Sequence, residues 1–279
     1  MTRAGAIEVR TPEELLLMRR AGLVVAHALK AMAEAARPGV TTADLDTVAR
    51  DVLEREGAAS NFLGYAPGWG VPPFPATVCT SVDEVVVHGV PGPRVIADGD
   101  LVSIDFGAVK DGFHGDAAVT VAVGAVEPAA ARLSEVTREA LWAGVGAARL
   151  GGTIGDISHA IQKSVQRAGR YGILREFTGH GIGTQMHLEP DVPNFGRPHR
   201  GPQLVEGMCL AIEPMVTLSG RKVVTLDDDW TVVTANGNWA AHWEHSVTVT
   251  KRGVWVLTAE DGGEADLVQR GLPFGPLAD

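Results

Sequence analysis

Val102-Ser-Ile-Asp-Phe-Gly-Ala-Val-Lys-Asp-Gly-Phe-His-Gly-Asp-Ala-Ala-Val-Thr120 reads as two alternating strands joined at Asp111-Gly112. Asp-Gly between alternating apolar runs is a strong hairpin signal. With that pair as the turn, Lys110 faces Phe113, Gly107 faces Asp116 and Asp105 faces Ala118. Asp105 and Asp116 then share a face as diagonal neighbours, with Cβ atoms at most roughly 7–8 Å apart. Gly107 is expected to leave the space between them open. Two carboxylates aimed into one gap repel unless something positive sits there. One or two divalent cations would satisfy them, a two-metal site spanning roughly 3.5–4 Å. A strand Asp is more often a solvent-facing residue, so the rest of the chain has to decide.

The chain of 279 residues has ample length for a buried core. Its net charge of −10 does not favour a nucleic-acid surface, and no sequence-specific nucleic-acid partner is expected. Two cysteines, Cys79 and Cys209, are too few for a disulfide framework and fit a reducing cytosol. Met1 to Arg10 has no apolar core of a signal peptide, and no window reaches the run of about 18 apolar residues that a membrane span needs. The expectation is a cytoplasmic protein without a membrane partner. Residues 1–10 read as a flexible lead-in, 11–262 as a single catalytic domain and 263–279 as a peripheral tail.

Thr11-Pro-Glu-Glu14 is a helix start, with Thr as cap, Pro at the first position and Glu three after the cap. A second helix is predicted from Thr42 to Glu56, stopped by Gly57, and a third over 128–148. Residues 60–80 form a long aromatic loop, and such loops on compact domains are often binding elements. Val85-Val-Val-His-Gly-Val-Pro91 reads as a strand ending at a histidine, His88. Arg37-Pro-Gly-Val-Thr-Thr-Ala-Asp44 resembles Arg149-Leu-Gly-Gly-Thr-Ile-Gly-Asp156, 112 residues later, and Gly57 matches Gly169 at the same offset. This fits an ancestral duplication, with two helix–helix–strand halves and a site where their sheets meet.

The second half carries Phe177-Thr-Gly-His-Gly-Ile-Gly-Thr-Gln-Met-His187, with His180 and His187 set among glycines that let backbone approach a ligand closely. Cys209 to Val216 is an apolar strand with one carboxylate, Glu213, and a buried Glu is rare unless paired or metal-bound. Ala241 to Thr250 alternates as a strand, placing His242, Glu244 and Ser246 on one face and Trp243 and His245 on the other. Collected, Asp105, Asp116, His180, Glu213 and Glu244 are four carboxylates and one imidazole. That set suits Mn, Fe(II), Co or Zn better than a thiolate-bound structural zinc.

These motifs resemble the type I methionine aminopeptidases of the creatinase/prolidase-like "pita-bread" fold. The resemblance lies in Cys79-Thr-Ser-Val-Asp-Glu-Val-Val-Val-His88-Gly, the pair Asp105 and Asp116, Gly179-His180-Gly-Ile-Gly, His187, Ile212-Glu213-Pro-Met and Trp243-Glu244-His245-Ser, in the family's order over roughly residues 10–255. It implies an α/β (α+β) fold whose curved antiparallel sheet, shared by two pseudo-symmetric halves, holds a dinuclear metal site. It implies metal-dependent hydrolytic removal of the initiator methionine from nascent polypeptides, with a small second residue preferred. Two divalent ions (Co, Mn, Fe(II), Zn or Ni) would be held by Asp105, Asp116, His180, Glu213 and Glu244, with Asp116 and Glu244 bridging. Glu213 would also move the proton of the attacking water, His187 would steady the scissile carbonyl, and His88 would contact the following backbone nitrogen. Tyr65, Phe74, Cys79, Met186 and Trp230, with Phe62 nearby, would line the methionine pocket. A monomer acting near the ribosomal exit is the implied setting.

The sequence departs from the family pattern in two places. Ala66-Pro-Gly-Trp-Gly-Val-Pro-Pro-Phe74 is several residues longer than usual, and Trp69 in it is expected to act as a lid. Thr184-Gln-Met-His187-Leu replaces the usual Arg-x-Phe-His-Glu. No amino-terminal zinc-binding extension and no type II helical insertion are read. The rival readings are an Xaa-Pro aminopeptidase or dipeptidase of the same fold, which normally has an extra amino-terminal domain, and a catalytically silent binding module.

Overall fold

Thr11 caps the first helix as its sequence predicts. Its hydroxyl accepts from the Glu14 N–H at 3.3 Å, while the Glu14 carboxylate accepts from the Thr11 N–H at 2.9 Å. The computed structural model describes residues 7–66, 68 and 70–277. Helices α1 (Pro12–Ala35) and α2 (Thr42–Glu56) come first, α2 ending at Gly57 in the left-handed conformation. Strands β1 (Ala59–Ser60), β2 (Cys79–Val82), β3 (Val85–Val87), β4 (Leu101–Lys110) and β5 (Phe113–Ala122) complete the first half. Helices α3 (Pro128–Ala147) and α4 (Ile154–Ala168) open the second. Strands β6 (Gly172–Ile173), β7 (Gly179–Gly181), β8 (Leu188–Val192), β9 (Cys209–Ile212) and β10 (Met215–Thr217) follow. After them come β11 (Val223–Thr225), β12 (Val232–Thr234), β13 (Ala240–His242), β14 (Glu244–Val249), β15 (Val254–Val256) and α5 (Glu264–Gln269).

Nine strands form one sheet in the order β1-β4-β5-β14-β9-β7-β8, with β2 also on β4 and β15 on β14. Two small sheets, β13-β10-β6 and β11-β12-β3, flank it. Every ladder between these strands is antiparallel. Each helix pair buries its own core against the large sheet. Val25, Leu29, Leu45 and Val52 meet Val102, Ile104 and Phe106 in the first half. Leu133, Leu141, Ile157 and Ile161 meet Leu210, Ile212 and Val247 in the second.

The internal repeat appears in the backbone hydrogen bonds. Gly39 N–H donates to Ile96 O at 2.9 Å and Gly151 N–H to Leu204 O at 3.0 Å. Ile96 N–H returns to Val40 O, and Leu204 N–H to Gly152 O, both at 2.8 Å. Thr42 N–H reaches Arg94 O at 2.9 Å where Ile154 N–H reaches Pro202 O at 3.0 Å. Each half therefore ties the start of its second helix to a returning segment in the same way, as the repeat requires.

Of the lead-in, residues 1–6 lie outside the described residues, and Arg10 N–H bonds Gly207 O at 2.9 Å. Beyond residue 262, α5 sets Leu267 into the second-half core. No helix among the described residues is long and apolar enough to cross a membrane.

Candidate metal centre

The hairpin has the expected register: Lys110 pairs with Phe113, Gly107 with Asp116 and Asp105 with Ala118. Glu244 pairs with Ala118 from the other side, so β14 brings its carboxylate beside the hairpin. His245 of β14 pairs with Ile212 of β9, and Glu213 follows directly where β9 ends before Pro214. His180 of β7 pairs with Ala211. Of five neighbouring strands, β4, β5, β14 and β7 thus carry Asp105, Asp116, Glu244 and His180, and Glu213 stands one residue past the end of β9.

Asp116, His180 and Glu244 are 4 %, 7 % and 2 % exposed, and each offers a ligand atom within 4.8 Å of the others. Asp105 Oδ1, Asp116 Oδ1 and Glu244 Oε1 are buried without a hydrogen-bond partner. Burial pushes the Asp105 carboxyl up to about 7. Burial, and then the charge of neighbouring carboxylates, holds Asp116, Glu213 and Glu244 well above the usual carboxylate range. Burial, then His187, brings His180 down to about 3, so its imidazole is neutral and free to ligate. Buried anions without partners are costly, and oxygen-rich sets of this kind with one imidazole suit divalent cations. The residues fit such ions.

Three expectations need correction. The strand read over Cys209 to Val216 divides at Glu213-Pro214, with β9 in the large sheet and β10 in a small one. Gly107 does not open the space between the aspartates. A Cβ there would lie 2.4 Å from Asn61 Nδ2, and Asn61 fills the place while donating to Gly115 O at 3.1 Å. The glycine is needed because β1 pairs with β4 and brings that side chain against it. The strand expected from 241 to 250 is also interrupted at Trp243, where β13 leaves for the β10 sheet and β14 continues in the large one. Trp243 N–H bonds Pro214 O at 3.4 Å, and its indole donates to Ser134 Oγ at 3.0 Å, which anchors the crossing. The two faces survive the break: His242 and Glu244 line the cavity, and His245 turns away to Thr258 Oγ1 at 2.9 Å.

A cavity of about 630 Å³ opens over the carboxylates. Phe62, Phe74, Cys79 and Met186 cluster at its apolar end, with Tyr65 and Trp230 packed on them. The Phe74 and Trp230 rings meet edge-on at 5.2 Å, and the Trp230 indole donates to Pro72 O at 2.9 Å. That bond ties the long loop to the pocket wall. Trp69 lies outside the described residues. His88 takes a left-handed backbone (φ 57°) at the end of β3 and lines the cavity beside Phe177 and Trp230. His187 stands at the mouth, its Nδ1 2.8 Å from Tyr65 Oη and its ring 4.3 Å from that of His180.

Every sequence-predicted site residue therefore borders this cavity. His242 does too, 2 % exposed and held down to about 3 by burial and then by His88. Its alternation with Glu244 was the available signal, but alternation gives a face and no partner.

The family model for Metallopeptidase family M24 matches residues 6–251. Methionine aminopeptidase 1 of Mycobacterium tuberculosis is 50% identical over 255 residues, covering 89% of this chain and 94% of that one. The methionine aminopeptidase of Clostridium acetobutylicum is 47% identical over 253 residues, covering 90% and 98%. The crystal structure of methionine aminopeptidase from Thermotoga maritima superposes with a TM-score of 0.86 at 39% identity, covering 91% of this chain and all of that one. A prolidase from Pyrococcus furiosus shares the fold at a TM-score of 0.71 and 22% identity, covering 90% of this chain and 65% of its own. With the carboxylate–histidine centre at five adjacent strands and relatives of this closeness along nearly its whole length, the chain belongs to metallopeptidase family M24 and, within it, to the methionine aminopeptidases.

Proposed function

We propose that the cavity binds the N-terminal methionine of a peptide or nascent polypeptide and that the chain hydrolyses the bond after it, preferring a small second residue. The observation that carries the reading is the join between the two ends of one cavity. Phe62, Phe74, Cys79, Met186 and Trp230 offer an apolar, polarizable wall suited to a thioether side chain. The carboxylates of Asp105, Asp116, Glu213 and Glu244 border the same space and would hold cations there, which a free amine can ligate and a continuing chain cannot.

Asp105, Asp116, His180, Glu213 and Glu244 would hold two divalent cations, with Asp116 and Glu244 shared. When bound, such ions supply Lewis acidity and lower the pKa of water. Glu213 takes the proton of the attacking water and returns it to the departing amine. Tyr65 donates its hydroxyl hydrogen to His187 Nδ1, which leaves the imidazole proton on Nε2 to donate to the carbonyl oxygen as charge builds there. A neutral His88 accepts from the N–H of the second residue. Cytoplasmic location, action as a monomer and work near the ribosomal exit complete the proposal.

The test is release of methionine from Met-Ala-Ser by the Mn(II)- or Co(II)-loaded protein, run beside an Ala-Pro peptide. Methionine release without Ala-Pro cleavage is expected; no release from the loaded protein overturns the reading. His187→Ala should cut turnover by about 10²–10³-fold while metal content holds, as removal of an electrostatic donor does. Glu244→Ala should lose metal as well, and equal metal loss in both variants contradicts the assigned roles.

A further inference from the structure

His242 borders the cavity yet belongs neither to the ligand set nor to the proposed substrate contacts. Its Nε2 is buried and has no hydrogen-bond partner. That atom lies 3.8 Å from Glu213 Oε2 and 3.9 Å from Glu244 Oε2. On the other side, His180 Nε2 lies 3.5 Å from Glu213 Oε1. The Glu213 carboxylate is therefore set between two imidazoles, each nearest a different oxygen. Glu244 has its Oε2 nearest His242, while its Oε1 is buried without a partner. The separations to His242 are longer than a formed hydrogen bond but within about 1 Å of one.

The imidazole is carried on a fixed backbone. His242 N–H is shared between Thr120 Oγ1 at 3.1 Å and Ser103 Oγ at 3.2 Å. The two hydroxyls are 2.9 Å apart, and Thr120 Oγ1 donates back to His242 O at 2.7 Å. Register with Met215 in β10 holds the other edge. This buried network joins β4, β5 and β13 and fixes the backbone from which the ring projects.

We infer that His242 is a positioning residue that donates its Nε2–H to the outer oxygens of Glu213 and Glu244 and so turns their inner oxygens toward the cations. The inference rests on the metal-centre reading above. A ligating carboxylate with an unheld second oxygen can rotate, and a donor on that oxygen fixes the orientation of the ligand and tunes its basicity. For Glu213 the same donor settles which oxygen is left to handle a proton.

His242→Leu removes the donor at similar volume, and His242→Gln keeps an N–H donor. Mn(II) titration calorimetry on both variants and the wild type reads the effect on the centre directly. His242→Leu should bind Mn(II) about 10–100-fold more weakly. It should also lower kcat on Met-Ala-Ser with KM little changed, and His242→Gln should recover most of both losses. Wild-type Mn(II) affinity in His242→Leu, or equal impairment in the two variants, overturns the inference. His242→Met takes the place of His242→Leu in this contrast should the latter not fold. A reading that needs no variant to be active is the ¹⁵N shift pair of His242 in Zn(II)-loaded wild-type protein, assigned by its loss in His242→Gln. A protonated Nε2 with a bare Nδ1 is expected, and the opposite tautomer overturns the role. Calorimetry and NMR stand even if methionine is not released, so failure here is separable from failure of the proposed activity.

Discussion

Asp105 shows how strongly the centre depends on what it binds. Its folded pKa of about 7 lies above the ordinary carboxylate value of 3.8, because burial penalises the charged form. Between those values the folded, metal-free chain keeps a proton that the unfolded chain has released. Its contribution to stability is thus full below about 3.8 and is lost as pH rises through about 7. A divalent cation competes with that proton. Mn(II) should therefore bind more tightly at pH 8 than at pH 5.5, on the order of tenfold per pH unit for each carboxyl that must be stripped below its pKa. It should raise the Tm correspondingly more at pH 8. His180, already down to about 3, stays neutral across this window and does not blur the result. Equal Mn(II) affinity at both pH values, measured by titration calorimetry, would show that the carboxylates are not protonated in the free protein. The four carboxylate candidates could be picked out from residue type, since carboxylates on apolar strands have few other reasons to be there, and His180 from its glycine neighbours. The tie between Tyr65 and His187 could not, because those residues are 122 positions apart.

Among the elements, the hairpin was the most legible, because its register follows from local alternation and one turn. The approach of α1 to it was less so. A Cβ on Gly22 would lie 2.1 Å from Leu257 O, and one on Gly115 would lie 2.9 Å from Gly22 N. The helix therefore meets β5 and the end of β15 backbone to backbone. Gly22→Ala would be favourable by helix propensity alone, by roughly 1 kcal/mol. Here it should instead destabilise, by about 1–3 kcal/mol, as overpacking does. Denaturant unfolding checks this, and a variant as stable as the wild type would mean that α1 can move outward freely. Helical spacing can assign Gly22 to a buried face but carries no measure of how close the facing backbone comes. The same limit hid Asn61 behind Gly107: a glycine in a strand announces a close approach without naming what approaches.

Across the whole molecule, the two halves repeat the same boundary. Thr41 Oγ1 donates to Asp44 Oδ2 at 2.6 Å, and Thr153 Oγ1 donates to Asp156 Oδ2 at 2.9 Å. Thr41→Ala and Thr153→Ala each remove a hydroxyl bonded to the aspartate one turn on, and each should cost about 0.5–2 kcal/mol. Because the caps sit over separate cores and share no partner, the double variant should equal the sum within about 0.5 kcal/mol. Unfolding the three variants in denaturant tests this, and a large departure from the sum would mean that the halves share one cooperative boundary at these positions. The sequence by itself determined the local pieces: the capped helices, the hairpin with its two aspartates, the repeat, and the set of carboxylates and histidines that a metal centre needs. Periodicity, turn chemistry and residue type act over a few neighbours, so these can be read in one dimension. Only the tertiary structure decided that β14 runs between β5 and β9, that the chain leaves the large sheet at Trp243, and that His242 faces Glu213 and Glu244. Those facts depend on which non-consecutive strands pair and in what register, and that is settled by burying two helix pairs against one sheet rather than by any local signal.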